Sequence, residues 1–269
     1  MPPPLVIDSL DDPRVADYQH IADHQHMLDR GLFIAEGRLV VRRLLELRQW
    51  AVESILLTSA ALDNLRDVIH QATAPVYLVD QALMNAIAGF NIHRGCLALA
   101  HRRKVEASAS TGPPIGPLSR VLLLEGVNNP DNVGGLFRTA AAFGIELVVL
   151  GPNSGDPLYR KAVRTSMGAT LSLPFAQAPQ WPGAIADLRA DGFTVVALTP
   201  ALTAAPLEEV FPHAKLALLV GSEGSGLTEE AMQAATLRIR IPTTPDVDSL
   251  NVTTAASIAM YHCFAEKRG

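Results

Sequence analysis

The segment RVLLLEGVNNPDNVGGLFRTAAAFG (residues 120–144) decides the fold. It opens on a run that is apolar at nearly every position, as a strand covered on both faces must be. A turn rich in Asn, Pro and Asp follows, and then a helical run from about Asn132 to Phe143. Asn132 stands just before that run, where a side-chain oxygen can cap exposed amides. Gly134 and Gly135 allow another chain or a ligand to approach closely. Arg138 projects from the first turns of the helix, within reach of the strand end. Three further apolar runs repeat the pattern: IELVVLG (145–151), FTVVALT (193–199) and KLALLVG (215–221). Helical stretches are expected between them at roughly 181–190 and 228–235, with a last one from about Ser249 to Glu266. Strands alternating with helices predict a parallel, doubly wound α/β sheet that binds ligands at the strand C-terminal ends.

Upstream, the stretch EASASTGPPIGPLS near residues 105–118 cannot build a regular element and reads as a linker. The expected organisation is therefore a first domain of residues 1–105, a linker of 106–118 and a second domain of 119–269. In the first domain, Pro13–Leu28 looks helical, and LFIAEG (32–37), ESILLT, PVYLVD and GCLALA read as strands. Leu39, Val40, Leu44, Leu45 and Leu47 mark one face of a helix whose other face carries Arg38, Arg42 and Arg43. This predicts a small α/β/α unit, with the N-terminal proline run as a frayed end.

The 269 residues include 48% hydrophobic and 18% charged side chains, enough apolar material for two cores. The formal net charge is −5. Residues 1–105 hold 11 Lys+Arg against 12 Asp+Glu, and the remainder 22 − 11 = 11 against 27 − 12 = 15. Neither half is basic, so contact with a nucleic acid must come from local patches. Two distant cysteines, Cys96 and Cys263, offer no zinc spacing and predict reduced, buried thiols. His20, His24 and His26 read as a solvated helix face, so no metal is expected. The N-terminus lacks a basic, apolar leader, and no run is long enough for a membrane span. A cytoplasmic location without membrane partners is the expectation.

Two other loops share the strand-end setting of the first. GSEGSGL (221–227) follows one apolar run; its glycine spacing fits neither a phosphate loop nor a dinucleotide fingerprint. IPTTPDVDSLNVTTAASIAMY (241–261) holds two prolines that impose an extended loop. Ser249 or Asn251 can then cap a slim helix of small residues. Taken singly, each loop has an ordinary reading as a turn or a capped helix, and Arg138 as a solvated surface residue.

Together, NPDNVGGLFRTA, GSEGSGL and IPTTPDVDSLNVTTAASIAMY, in that order, resemble the SpoU (TrmH-type) family of the SPOUT methyltransferases. RTSMGATLSLPF (164–175) resembles that family's inter-motif segment, so the likeness spans residues 120–269. FIAEGRLVVRRLLE (33–46) resembles, less specifically, the L30e-like substrate-binding domain often fused to it. The resemblance implies a deep trefoil knot that cups S-adenosylmethionine, with methyl transfer to a ribose 2′-hydroxyl of ribosomal or transfer RNA. It places the cofactor at Gly221, Ile241 and Leu250, with Ser249 and the loop at Thr199 contributing. It makes Arg138 the catalytic arginine, surrounded by Asn132, Glu223, Ser249 and Asn251, in a site completed across a homodimer. Thr243-Thr244 departs from the family pattern, where a bulky apolar residue and a glycine are usual, and this bears on loop shape.

A guanidinium resists deprotonation, so Arg138 is better suited to stabilise a developing alkoxide than to act as a base. Glu223 is the candidate to orient it. For RNA contact the basic candidates are Arg42 and Arg43, and Tyr159-Arg160-Lys161 with Arg164. The competing class is a catalytically silent RNA- or ribosome-binding factor that uses the first domain as reader. Retention of Arg138, Glu223 and Asn251 favours the enzyme.

Overall fold

The computed structural model describes residues 3–103, 118–210, 213–244, 246 and 249–264. The chain forms two compact units. The expected linker lies almost wholly outside the described residues.

The first unit is built on a mixed five-stranded sheet. Its strands are β1 (Leu5–Val6), β2 (Leu32–Glu36), β3 (Val52–Leu57), β4 (Val76–Leu78) and β5 (Cys96–His101), in the order β1-β4-β3-β5-β2. β1 was not expected: Leu5 and Val6 pair in parallel with Tyr77 and Leu78, so the chain is already ordered just past the prolines. The helices are α1 (His24–Asp29), α2 (Arg38–Leu47), α3 (Ser59–Ile69) and α4 (Gln81–Ala88). The helix expected over 13–28 is instead a 3-10 segment, Pro13–His20, followed by α1. Asp12 and Asp23 each accept a hydrogen bond from a backbone amide two or three residues on, and each cap starts a separate segment. On α2 the buried face is Val40, Val41 and Leu44, while Leu39 is exposed. Burial pushes the Cys96 thiol up to about 12 and the Cys263 thiol to about 11, so both are poor nucleophiles.

The second unit is a seven-stranded sheet in which every pairing is parallel. The chain lays down β6 (Arg120–Glu125), α5 (Pro130–Ala142) and β7 (Leu147–Leu150). Residues Pro157–Ser172, with α6 (Arg160–Thr165) and α7 (Ala169–Ser172), belong to the first unit. The second unit resumes with β8 (Phe175–Gln177), α8 (Gly183–Ala190), β9 (Thr194–Leu198), β10 (Ala205–Pro206) and β11 (Leu216–Gly221). It closes with α9 (Glu229–Ala234), β12 (Leu237–Arg240) and α10 (Val252–Phe264). Strand order is β10-β12-β9-β11-β6-β7-β8.

The all-apolar runs follow from this order, because β9, β11 and β6 are central and covered on both faces. One face, with Val121, Leu123, Val195, Ala197, Ala217 and Leu219, packs with Ile185 and Leu188 of α8 and Ala231 of α9. Leu122, Leu124, Val196, Leu218 and Val220 point the other way and are equally buried. The helix after β6 starts earlier than expected: Pro130 takes its first position and Asn129 Oδ1 caps it at 2.9 Å from the Asp131 amide. Asn132 is therefore inside α5 rather than at its cap. A Cβ on Gly135 would meet Thr253 Cγ2 at 2.8 Å, so the close approach its glycine permits is that of α10. No helix among the described residues is long and apolar enough to cross a membrane.

Segment 157–172 is held in the first unit by specific contacts. Arg160 Nε donates to Glu36 Oε2 at 2.7 Å, and its guanidinium lies 4.0 Å from the Phe90 ring centroid. Arg43 donates to the Met167 carbonyl, and Trp50 Nε1 to the Leu171 carbonyl at 2.9 Å. A fragment of residues 118–269 removes all of these partners and uncovers Ala162, Val163, Ala169 and Leu171. Limited proteolysis should cut that fragment within 157–172 on the order of tenfold faster than the full chain, because local opening no longer costs those contacts. Equal cutting rates would show that the segment is stable without the first unit.

Candidate active site

The C-terminal ends of β9, β11 and β12 and the start of α10 enclose a cavity of about 720 Å³. Thr199, Gly221, Ile241, Ser249 and Leu250, the five positions expected around a cofactor, all line it. This is where a parallel sheet presents ligands, because loops diverge from the strand ends there. The remaining wall mixes apolar side chains such as Leu198, Val220 and Val252 with polar ones such as Ser222, Thr244 and Asn251, and its charged side chains among the described residues are Glu223 and Arg240. Gly221 is demanded by the loop itself: a Cβ would lie 2.4 Å from the Gly226 carbonyl carbon and 2.5 Å from the Leu227 nitrogen. The loop folds back tightly enough that Ser222 and Gly226 form an isolated bridge.

Three of the four expected catalytic residues meet at the edge of this cavity. Asn251 Nδ2 donates to Asn132 Oδ1 at 3.0 Å and to Glu223 Oε1 at 2.5 Å. Its Oδ1 accepts from the amides of Thr253 at 2.9 Å and Thr254 at 3.3 Å, which makes it the cap of α10. Asn132 is 7% exposed, whereas Glu223 and Asn251 are open to solvent.

Arg138 stands apart. It is exposed and forms no hydrogen bond or ion pair among the described residues, so within one chain Glu223 does not orient it. The helix explains this: six residues beyond Asn132 is about 120° round the helix and roughly 9 Å along its axis. Arg138 is also absent from the residues lining the cavity.

Glu125, at the end of β6, is a site residue that the sequence reading missed. It is 5% exposed, and its carboxylate accepts from Trp181 Nε1 at 2.6 Å, Thr228 Oγ1 at 2.8 Å and the Thr228 amide at 2.9 Å. Thr228 in turn caps α9 through the Ala231 amide. Glu125 thus anchors the far end of the 222–228 loop, whose near end carries Glu223. An acidic residue closing the apolar run Val121–Leu124 of a central strand, directly before Gly126, was the available signal.

The two basic patches are not free. Arg42 bonds both carboxylate oxygens of Asp67, at 2.5 and 2.9 Å, and the Asn64 carbonyl. Those bonds hold the Asp67 carboxyl below its ordinary range. Arg43 and Arg160 are engaged as described above, and Arg164 lies 3.6 Å from Glu36. These cations hold the first unit together, and an RNA contact by either patch would have to share them with their acidic partners.

Residues 119–261 match the SpoU rRNA Methylase family. An uncharacterised tRNA/rRNA methyltransferase of Mycobacterium tuberculosis is 39% identical over 93% of this chain and 88% of its own length. The 23S rRNA (guanosine(2553)-2′-O)-methyltransferase of Bacillus subtilis is 25% identical over 95% of this chain and 98% of its own. The crystal structure of an AdoMet-bound rRNA methyltransferase from Sinorhizobium meliloti superposes with a TM-score of 0.80, at 25% identity and 96% coverage of both chains. A parallel sheet with its cavity at the strand ends, and three segments tied at Asn251, fit a methylase of this type. The chain belongs to the SpoU rRNA methylase family.

Replacing Glu125 by Ala strips the acceptor from Trp181 Nε1 and from both Thr228 donors. The expected cost is about 2–4 kcal/mol, the scale of leaving such groups unsatisfied. Glu125→Gln retains one acceptor oxygen and should lose less. Urea unfolding of both variants checks the order, and an undiminished Glu125→Ala variant would remove this anchor.

Proposed function

We propose that the chain is an S-adenosylmethionine-dependent enzyme that methylates a ribose 2′-hydroxyl of ribosomal or transfer RNA, working as a cytoplasmic homodimer. The observation that carries this reading is the Asn251-centred joining of Asn132 and Glu223 at the rim of the strand-end cavity. The residues present suit the cofactor. The cavity has the size of a small-ligand site. Its wall pairs apolar Leu198, Ile241 and Leu250 with hydrogen-bonding Thr199 and Ser249 and exposed loop backbone. Support for the ribose target comes from the Bacillus subtilis relative, a 2′-O-methyltransferase related over almost its whole length.

Bound in the cavity, S-adenosylmethionine supplies an electrophilic methyl group on a sulfonium, and losing it leaves a neutral thioether. The protein must supply the nucleophile. A ribose hydroxyl is weakly acidic, so its oxygen attacks well only as its proton departs. Arg138 stabilises the negative charge that grows on that oxygen, and the proton passes to an RNA phosphate or water. Asn132, Glu223 and Asn251 hold the loops at the distance an in-line transfer needs.

Arg138 does not line its own cavity, and a second copy is the economical source of the missing cation. Ile258 and Tyr261 on α10, 40% and 67% exposed, offer the apolar face on which two copies would pack with the cavity wrapped by the expected knot. A strictly monomeric mass at micromolar concentration, together with full activity, would overturn the dimer.

Mapping ribose methylation in cellular RNA with and without the protein tests the reaction directly. RNA binding without any new 2′-O-methyl group would identify the silent binding factor instead. Arg138→Lys keeps a charge but loses the planar fork. Single-turnover methyl transfer should fall by at least roughly a hundredfold, the scale of one lost transition-state donor. Calorimetry should show cofactor affinity unchanged, since Arg138 does not line the cavity. Unaltered transfer would remove Arg138 from the mechanism.

A further inference from the structure

Arg240 ends β12 and forms part of the cavity wall. Its Nε is buried and has no hydrogen-bond partner. The guanidinium forms no ion pair among the described residues, and the side chain as a whole is only partly buried. Arg238, two residues back and therefore on the same face of the strand, is satisfied: it bonds the Met232 carbonyl at 3.2 Å and Glu229 Oε1 at 3.3 Å. The neighbouring helix thus meets the needs of Arg238 and leaves Arg240 alone. The wall's other charge, Glu223, is occupied by Asn251.

A guanidinium whose Nε is desolvated, and which has no acidic partner among the described residues, is suited to an anion, because none of those residues replaces the hydration that Nε has lost. We propose that Arg240 binds the α-carboxylate of the cofactor's aminoacyl tail, and so selects an intact amino-acid nucleoside over a truncated one. This rests on the cofactor reading given above. The rest of the wall suits the other parts of such a ligand: Leu198, Ile241 and Leu250 offer apolar surface to a nucleoside. An RNA phosphate carries similar oxyanion chemistry. The cofactor is favoured because Arg240 lies in the wall beside Ile241 and Thr199, at the small-molecule cavity, with its Nε closed to solvent. Polymer phosphates are met by exposed cations that also reach a groove-sized partner.

The test is calorimetry on the full chain with S-adenosylhomocysteine and its decarboxylated analogue, for the wild type and Arg240→Met. A charge-assisted hydrogen bond in such a site corresponds to about a 10- to 100-fold change in affinity. The wild type should prefer S-adenosylhomocysteine over the analogue by that factor, and Arg240→Met should abolish the preference while leaving affinity for the analogue unchanged. Arg240→Lys, which keeps the charge without the fork, should recover part of it. Retained binding of the analogue doubles as proof that the variant is folded. Equal weakening of both ligands would make Arg240 a shaping residue of the wall and overturn the proposal. No weakening of either would overturn it too, and a fall in RNA affinity alone would reassign the anion to phosphate. A wild-type chain that binds neither nucleoside overturns the cofactor reading itself.

Discussion

The side chain of Asn251 holds the site together. Its Nδ2 donates to Asn132 in α5 and to Glu223 in the loop after β11, while its Oδ1 receives two amides at the start of α10. Two acceptors on one side and two donors on the other fix which end of the amide is nitrogen. Aspartate has nearly the same shape and could still cap the helix. It would, however, set a second carboxylate against Glu223 and leave Asn132 without its donor. Three segments distant in sequence, the start of α5, the loop after β11 and the start of α10, therefore depend on one neutral amide with both donor and acceptor ends.

The sheet supplies the counterpart of that tie. Parallel strands end in register, so the loops leaving β6, β9, β11 and β12 emerge on one rim and would splay without restraint. Glu125 restrains the loop after β11 at its far end through Thr228, and Trp181 closes over the same carboxylate. At the near end, Gly221 lets the returning backbone pass within a distance no side chain could share. The loop bearing Glu223 is thus pinned at both ends and at its tip. That is how an exposed carboxylate keeps a defined position at the cavity rim.

Much of this was legible in the residues, and the failures have physical causes. β6, β7, β9 and β11 are apolar through their centres because both sheet faces are covered, and sequence shows such runs plainly. β8, β10 and β12 are short outer strands, and LRIR in β12 carries two arginines, so no apolar run announced them. The five cavity positions came from motif resemblance, since backbone approach leaves little trace in residue type. Asn132 was misplaced as a cap because Asn129 and Pro130 begin the helix earlier. The assignment of residues 157–172 to the first unit was invisible: the Arg160–Glu36 pair spans 124 positions, and a cation reads the same in sequence whether it is solvated or spoken for.

That last point separates the arginines by what they cost. Arg42 and Arg160 are paired, so their charges are spent within the first unit and lend it order rather than reach. Arg138 has no ion pair among the described residues and is exposed, and water solvates it at little cost until an anion displaces that water. Arg240 has no ion pair among the described residues and one nitrogen shut away from water, a cost that an anion in the cavity would offset. A chain with a net charge of −5 cannot draw RNA by its overall field, so recognition has to rest on such local cations. An exposed cation suits a partner that arrives and leaves by the surface. A half-desolvated one suits a small ligand that the cavity encloses, and Arg138 and Arg240 divide along that line.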